Sequence, residues 1–123
     1  MLLQKAIIFR SKRLPKNHVF TCEHPLSEFF FEFTIRDEKF LINAVHLQAK
    51  SSKGLVFFLH GTLNHIQYHL PKAAVFLQNN LDVVIMDYPT YGKSKGKLTE
   101  DLLHEVVEIT FKKTIEKLNH TKD

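Results

Sequence analysis

The chain has 123 residues, 44% of them hydrophobic and 24% charged, a balance that points to one globular domain and excludes a disordered or fibrous polypeptide. Its net charge of +4 gathers early, in Lys5, Arg10, Lys12, Arg13 and Lys16, with no acid before Glu23. Such a run suits an anionic membrane surface or, more plainly, a solvated arm, and it lacks the interleaved aromatics of a nucleic-acid binder, so nucleic acid is not expected as a partner.

Cys22 is the single cysteine, so no internal disulfide can form and a reducing, cytoplasmic setting is expected, with membrane association through the basic arm as the alternative. The opening "MLLQKAIIF" is interrupted by Gln4 and Lys5 and lacks a signal-peptide apolar region. The runs "LVFFL" and "VVIM" are far too short to span a bilayer.

Residues 1–24 read as an irregular basic lead and 25–123 as the folded domain. In "HPLSEFFFEFTI", Phe29, Phe31, Phe33 and Ile35 alternate with Phe30, Glu32 and Thr34, the period of two of a half-buried strand. "RDEK" is a polar break, and "FLINAVHL" follows with Leu41, Asn43, Val45 and Leu47 on one face; the two segments predict an antiparallel hairpin. "GLVFFLH" and "LDVVIMD" are continuous apolar runs, expected as strands covered on both faces. Between them Leu70, Ala73, Ala74 and Leu77 recur at helical spacing, with Pro71 in the first turn or at a kink and Asn79 and Asn80 at the end. Strand, helix, strand makes a βαβ unit. A final amphipathic helix starts at the N-cap Thr99 and carries Leu102, Leu103, Val106, Val107, Phe111, Ile115 and Leu118 on one face.

"YGKSKG", residues 91–96, spells both G-x-S-x-G and the end of a phosphate-binding G-K-S loop. A nucleophile elbow needs its serine on a sharp turn between strand and helix. Here six residues separate Asp87 from Ser94, and helix signals begin only at Thr99. Lys93 and Lys95 flank the serine, so Ser94 is expected in a solvent-facing loop. A phosphate loop fails as well: Asp87 stands where its first glycine should be, and no helix opens at the G-K-S. Among eight histidines, His65 and His69 stand four apart, but no carboxylate at useful spacing completes a metal set, so they are expected as exposed residues at the helix start. Asp87 is expected to hydrogen-bond its own turn. No cofactor and no metal is expected.

Taken together, "KGLVFFLHGTLNH" resembles the third strand and oxyanion loop of the α/β-hydrolase superfamily, and "LDVVIMDYPTYGKSKGKLTEDLL" resembles its fourth strand and following loop. In that loop many members carry D-Y-R-G-Y-G-x-S-x-G, a non-catalytic string. "LPKNHVF" and the Phe-rich strands resemble the lead-in of bacterial members with an H-G-N-A-G oxyanion motif; the likeness runs from about residue 15 to 118. The resemblance implies an α/β class, the N-terminal portion of an α/β-hydrolase fold: an antiparallel hairpin, then a βαβ unit and a further helix, with strand order 1-2-4-3. It implies acyl transfer by a Ser, Asp and His triad on esters or amides, with His60, Gly61 and Thr62 marking the oxyanion turn and the Thr62 N–H as one donor. "HGTLNH" replaces the usual H-G-N-A-G.

The elbow of that family lies on a fifth strand, after the last helix, and the chain stops at Asp123. On this reading nucleophile, acid and catalytic histidine are absent, and the chain alone is expected to be inactive. Its apolar strand at 54–60 would then be an open edge. A complementing C-terminal fragment, or a second copy of the chain, is the expected partner there. The alternative is a non-catalytic module that binds through that edge.

Overall fold

The computed structural model of the chain describes residues 11–122, with side chains as far as Asn119. Four strands form one sheet: β1 (Leu26–Ile35), β2 (Glu38–Leu47), β3 (Leu55–Phe58) and β4 (Asp82–Met86), in the order β1-β2-β4-β3. Two helices cover it, α1 (Ile66–Ala74) and α2 (Glu100–Lys122), with a 3-10 turn at Val75–Asn79 extending α1.

β1 and β2 are antiparallel, with Ile35 opposite Glu38. That register leaves Arg36 and Asp37 as a two-residue turn, both in the left-handed region at φ 46° and 68°. Such turns match the twist of paired strands. Along β1, Phe29, Phe31 and Phe33 are half-buried while Phe30, Glu32 and Thr34 are exposed, as the period of two requires. β2 is the centre of the sheet, antiparallel to β1 on one side and to β4 on the other. Phe40, Ile42 and Ala44 face the α2 side with Val84, Met86, Leu102 and Val106; Val45 and Leu47 face the α1 side with Val83, Ile85, Ile66 and Leu70.

β3 and β4 are parallel neighbours joined through α1. All of Val83, Val84, Ile85 and Met86 are fully buried, each contributing roughly 1.5–3 kcal/mol. β3 departs from the expectation drawn from its unbroken apolar run: its four residues are only half-buried, and Leu59 beyond it is 48% exposed. The reason is position, since β3 is the outer strand of the sheet.

Pro71 sits inside α1 rather than in its first turn, and the helix gives way to the 3-10 turn four residues later. Asn80 closes that turn in the left-handed region. Thr99 caps α2 as expected, its hydroxyl accepting from the Leu102 N–H. The buried face of α2 includes two threonines that no apolar pattern shows, Thr110 and Thr114; Thr114 donates to the Thr110 carbonyl. Phe111, expected on the apolar face, is 43% exposed and meets Phe57 edge-on.

Of the basic lead, Lys5 and Arg10 lie outside the described residues. From Lys12 on the lead packs against the domain: Phe20 is buried among Val45, Leu70 and Ile85, and Gln67 on α1 bonds both the N–H and the carbonyl of Thr21. Arg13 is held too, donating to the Ser94 carbonyl at 2.6 Å. Residues 12–22 are thus anchored to the domain at Arg13, Phe20 and Thr21, while the side chains of Lys12, Arg13 and Lys16 remain exposed, as a solvated lead would have them.

Candidate functional site

β3 and β4 run parallel and end side by side, and the site is built on their carboxyl ends. β3 delivers His60 and β4 delivers Asp87, both side chains fully buried, with Nε2 of His60 2.8 Å from Oδ1 of Asp87. The other carboxylate oxygen of Asp87 accepts the N–H of Ile66, the first residue of α1, at 3.1 Å. A buried anion at a helix start is stabilised by the free N–H groups and by the helix dipole. The Asp87 carboxylate thus ties β3, β4 and α1 together, while its main-chain carbonyl is the group that bonds the loop that follows, accepting from Ser94. Hydrophobic periodicity carries no sign of such a pairing across 27 residues.

The histidines of α1 also differ from expectation. His65 is the N-cap, accepting the Tyr68 N–H. His69 is buried rather than exposed: it donates to the Leu63 carbonyl at 2.6 Å and stacks on His60 with centroids 4.5 Å apart. Burial lowers the pKa of both, so the neutral ring is favoured. They do not converge on a common point, and no group of three or more His, Cys, Asp or Glu among the described residues could hold a metal ion.

Two residues that the sequence reading passed over complete the site. Tyr88 donates to the His60 carbonyl and Tyr91 to the Thr62 carbonyl. Their rings lie 4.6 and 5.8 Å from that of His60. Burial first, then the nearby Tyr91 and Asp87, pushes the Tyr88 hydroxyl up to about 12, so it is a fixed donor. The signal available in the sequence was two tyrosines three apart, directly after an apolar strand.

The predicted oxyanion residues His60, Gly61 and Thr62 therefore stand at the end of β3. His60 is buried beneath the turn, and Gly61 and Thr62 are exposed above it. Nδ1 of His60 lies 2.6 Å from the Gly61 carbonyl, so both ring nitrogens are engaged by oxygens.

Ser94 is fully buried, which overturns the solvent-facing loop expected from its lysine neighbours. Its hydroxyl accepts the Asn43 N–H at 2.9 Å and donates to the Asp87 carbonyl at 2.7 Å. It bridges β2 to the end of β4 where their ladder stops. Lys93 is buried as well, because Glu28 neutralises its ammonium at 2.7 Å, the His18 carbonyl accepts from it at 2.5 Å, and its amine lies 4.9 Å from the centre of the Phe20 ring. Only Lys95 of the pair faces solvent. The glycines of G-x-S-x-G are demanded by space: a Cβ on Gly92 would come within 2.1 Å of Asp87 Oδ2, and one on Gly96 within 2.2 Å of Phe40, and both residues have positive φ. The motif is a structural bridge, with its serine hydroxyl satisfied on both sides by backbone.

No family model matches the sequence. Among solved structures, the chain is similar to a probable hydrolytic enzyme from Pseudomonas aeruginosa, with a TM-score of 0.61 and 13% identity over 77% of this chain and 31% of that one. It is also matched to an esterase from Pyrococcus furiosus, with a TM-score of 0.48 and 18% identity over 83% of this chain and 41% of that one. The chain thus spans less than half the length of either. At 13% identity the first likeness is one of fold, and with the strand order β1-β2-β4-β3 and a helix on each face, that fold is the N-terminal portion of the α/β-hydrolase arrangement.

Proposed function

We propose that residues 1–123 form the N-terminal part of a serine hydrolase and supply its oxyanion side. In this reading a serine oxygen attacks an ester or amide carbonyl, a histidine takes the serine proton and returns it to the leaving group, and the Thr62 N–H donates to the oxyanion. The observation that carries the reading is the place of the 60–62 turn, at the carboxyl ends of two parallel strands, where open α/β sheets take their ligands.

These residues alone do not hydrolyse esters. Ser94 has both hydrogen-bonding capacities occupied by backbone, and His60 has both nitrogens occupied by oxygens. The other described serines, Ser11, Ser27, Ser51 and Ser52, are exposed and stand outside the 60–62 turn. Nucleophile, acid and base come from a C-terminal segment whose first strand pairs with β3, and the half-buried edge of β3 supports that docking.

The test is a fluorophosphonate probe with a p-nitrophenyl ester assay on residues 1–123. No labelling and no turnover are expected; labelling at Ser94 would overturn the reading. Reading the coding DNA beyond codon 123 in all three frames is the companion measurement. An apolar strand followed by G-x-S-x-G and a helix supports the hydrolase part. A second reading, a non-catalytic module that pairs through β3, is favoured by the same exposed edge and would gain if no such segment exists.

A further inference from the structure

Four consecutive carbonyls of the turn after β3 are each held by an aromatic ring. Tyr88 holds that of His60, the His60 ring faces that of Gly61, Tyr91 holds that of Thr62 and His69 holds that of Leu63. The four rings form one cluster about His60, with centroids 4.5 Å to His69, 4.6 Å to Tyr88 and 5.8 Å to Tyr91. Each of the carbonyls of residues 60–63 is thus met by a side chain of this ring cluster. In a trans peptide the N–H of the next residue points opposite to the carbonyl. No peptide of the described chain is cis. Holding the Gly61 carbonyl on the ring side therefore turns the Thr62 N–H to the opposite side of that peptide, on a turn where Gly61 and Thr62 are exposed. Among the described residues no hydrogen bond takes up the Thr62 N–H.

We propose that Tyr88, Tyr91 and His69 are positioning residues that hold this turn with its carbonyls inward, so that the Thr62 N–H and its neighbours present a preorganised edge to an oxyanion. The proposal rests on the reading of 60–62 as the oxyanion turn and adds the parts that fix it. Preorganised donors act because they need no reorientation when charge develops.

The experiment uses 15N-labelled residues 1–123 and the variants Tyr88→Phe and Tyr91→Phe, each of which removes one oxygen. Backbone relaxation at Gly61, Thr62, Leu63 and Asn64 reports the order of the N–H vectors, and titration with inorganic phosphate reports anion binding at the same amides. The wild type is expected to show ordered vectors and shifts confined to these amides. Each variant is expected to loosen the turn and weaken phosphate about 3–10-fold, as the loss of one hydrogen bond implies, with the amides of β2 and β4 unchanged. Variants with wild-type order and affinity would overturn the positioning role while leaving the oxyanion reading intact. A wild-type turn that is ordered and does not respond to phosphate would overturn both. Two separate hydroxyls keep the test open if one variant fails to fold.

Discussion

Nε2 of His60 lies 2.8 Å from Oδ1 of Asp87, and neither side chain is reached by solvent. The pair joins the ends of two parallel strands, and the second Asp87 oxygen holds the first N–H of α1. Removing one member of a buried pair strands the other, at a cost of about 3–5 kcal/mol. Asp87→Asn is therefore expected to lose that much in urea unfolding, a large share of a small domain's stability. A loss below about 1 kcal/mol would mean the pair does not anchor the site.

Gly92 and Gly61 separate in a simple way. Gly92→Ala puts a Cβ onto the Asp87 carboxylate at a positive φ of 53°, and should cost about 2 kcal/mol or more. Gly61→Ala meets nothing within 4 Å and should stay within about 0.5 kcal/mol. Thermal melts of the two variants check this, and equal losses would contradict the geometry.

Ser94→Ala leaves the buried Asn43 N–H without its acceptor. The expected cost is about 1–3 kcal/mol. The variant and the wild type should be equally unreactive towards a fluorophosphonate. A wild-type adduct absent from the variant would reverse the structural assignment of this serine.

Acid should destabilise the fold in two windows. Burial first lowers the pKa of His65 and of His69, so the unfolded chain binds protons there more readily than the native one. Their contribution is complete above the ordinary value of 6.5 and is lost as pH falls below it towards the lowered native values. Burial by itself raises the Asp82 carboxyl, but hydrogen bonds from the Ala49 N–H, His46 and Ser52 outweigh it and leave the pKa lowered. Its contribution is complete above 3.8 and is lost as pH falls through the native value. Urea midpoints from pH 8 to pH 3 should fall in both ranges. His69→Phe should flatten part of the upper one.

The half-buried β3 edge should pair with another strand. Residues 1–123 alone are expected to self-associate at micromolar concentration, and Val56→Lys to yield a monomer, because an edge lysine blocks strand addition. Sedimentation velocity on both proteins reads the outcome. A wild type that stays monomeric at high concentration would leave β3 to a different partner.

Local patterns determined the elements of this protein. The alternation from Phe29 to Ile35, the apolar runs 54–60 and 81–87 and the Thr99 cap are each written in neighbouring residues, and the structure places a strand over the first, shorter strands at 55–58 and 82–86 inside the two runs, and the cap at Thr99. The resemblance of "LHGTLNH" and "MDYPTYGKSKG" to an α/β-hydrolase went further and anticipated the sheet order. Burial of charge was not legible. Lys93 reads as solvated because its partners, Glu28 and the His18 carbonyl, lie 65 and 75 residues away in sequence. Nor was the role of Asp87, whose bonds to His60 and Ile66 exist only once α1 has folded back beside β4. Periodicity reports which way a side chain faces relative to its own element. Which polar groups meet in the interior depends on the crossover of one element onto another, and only the tertiary structure decides that.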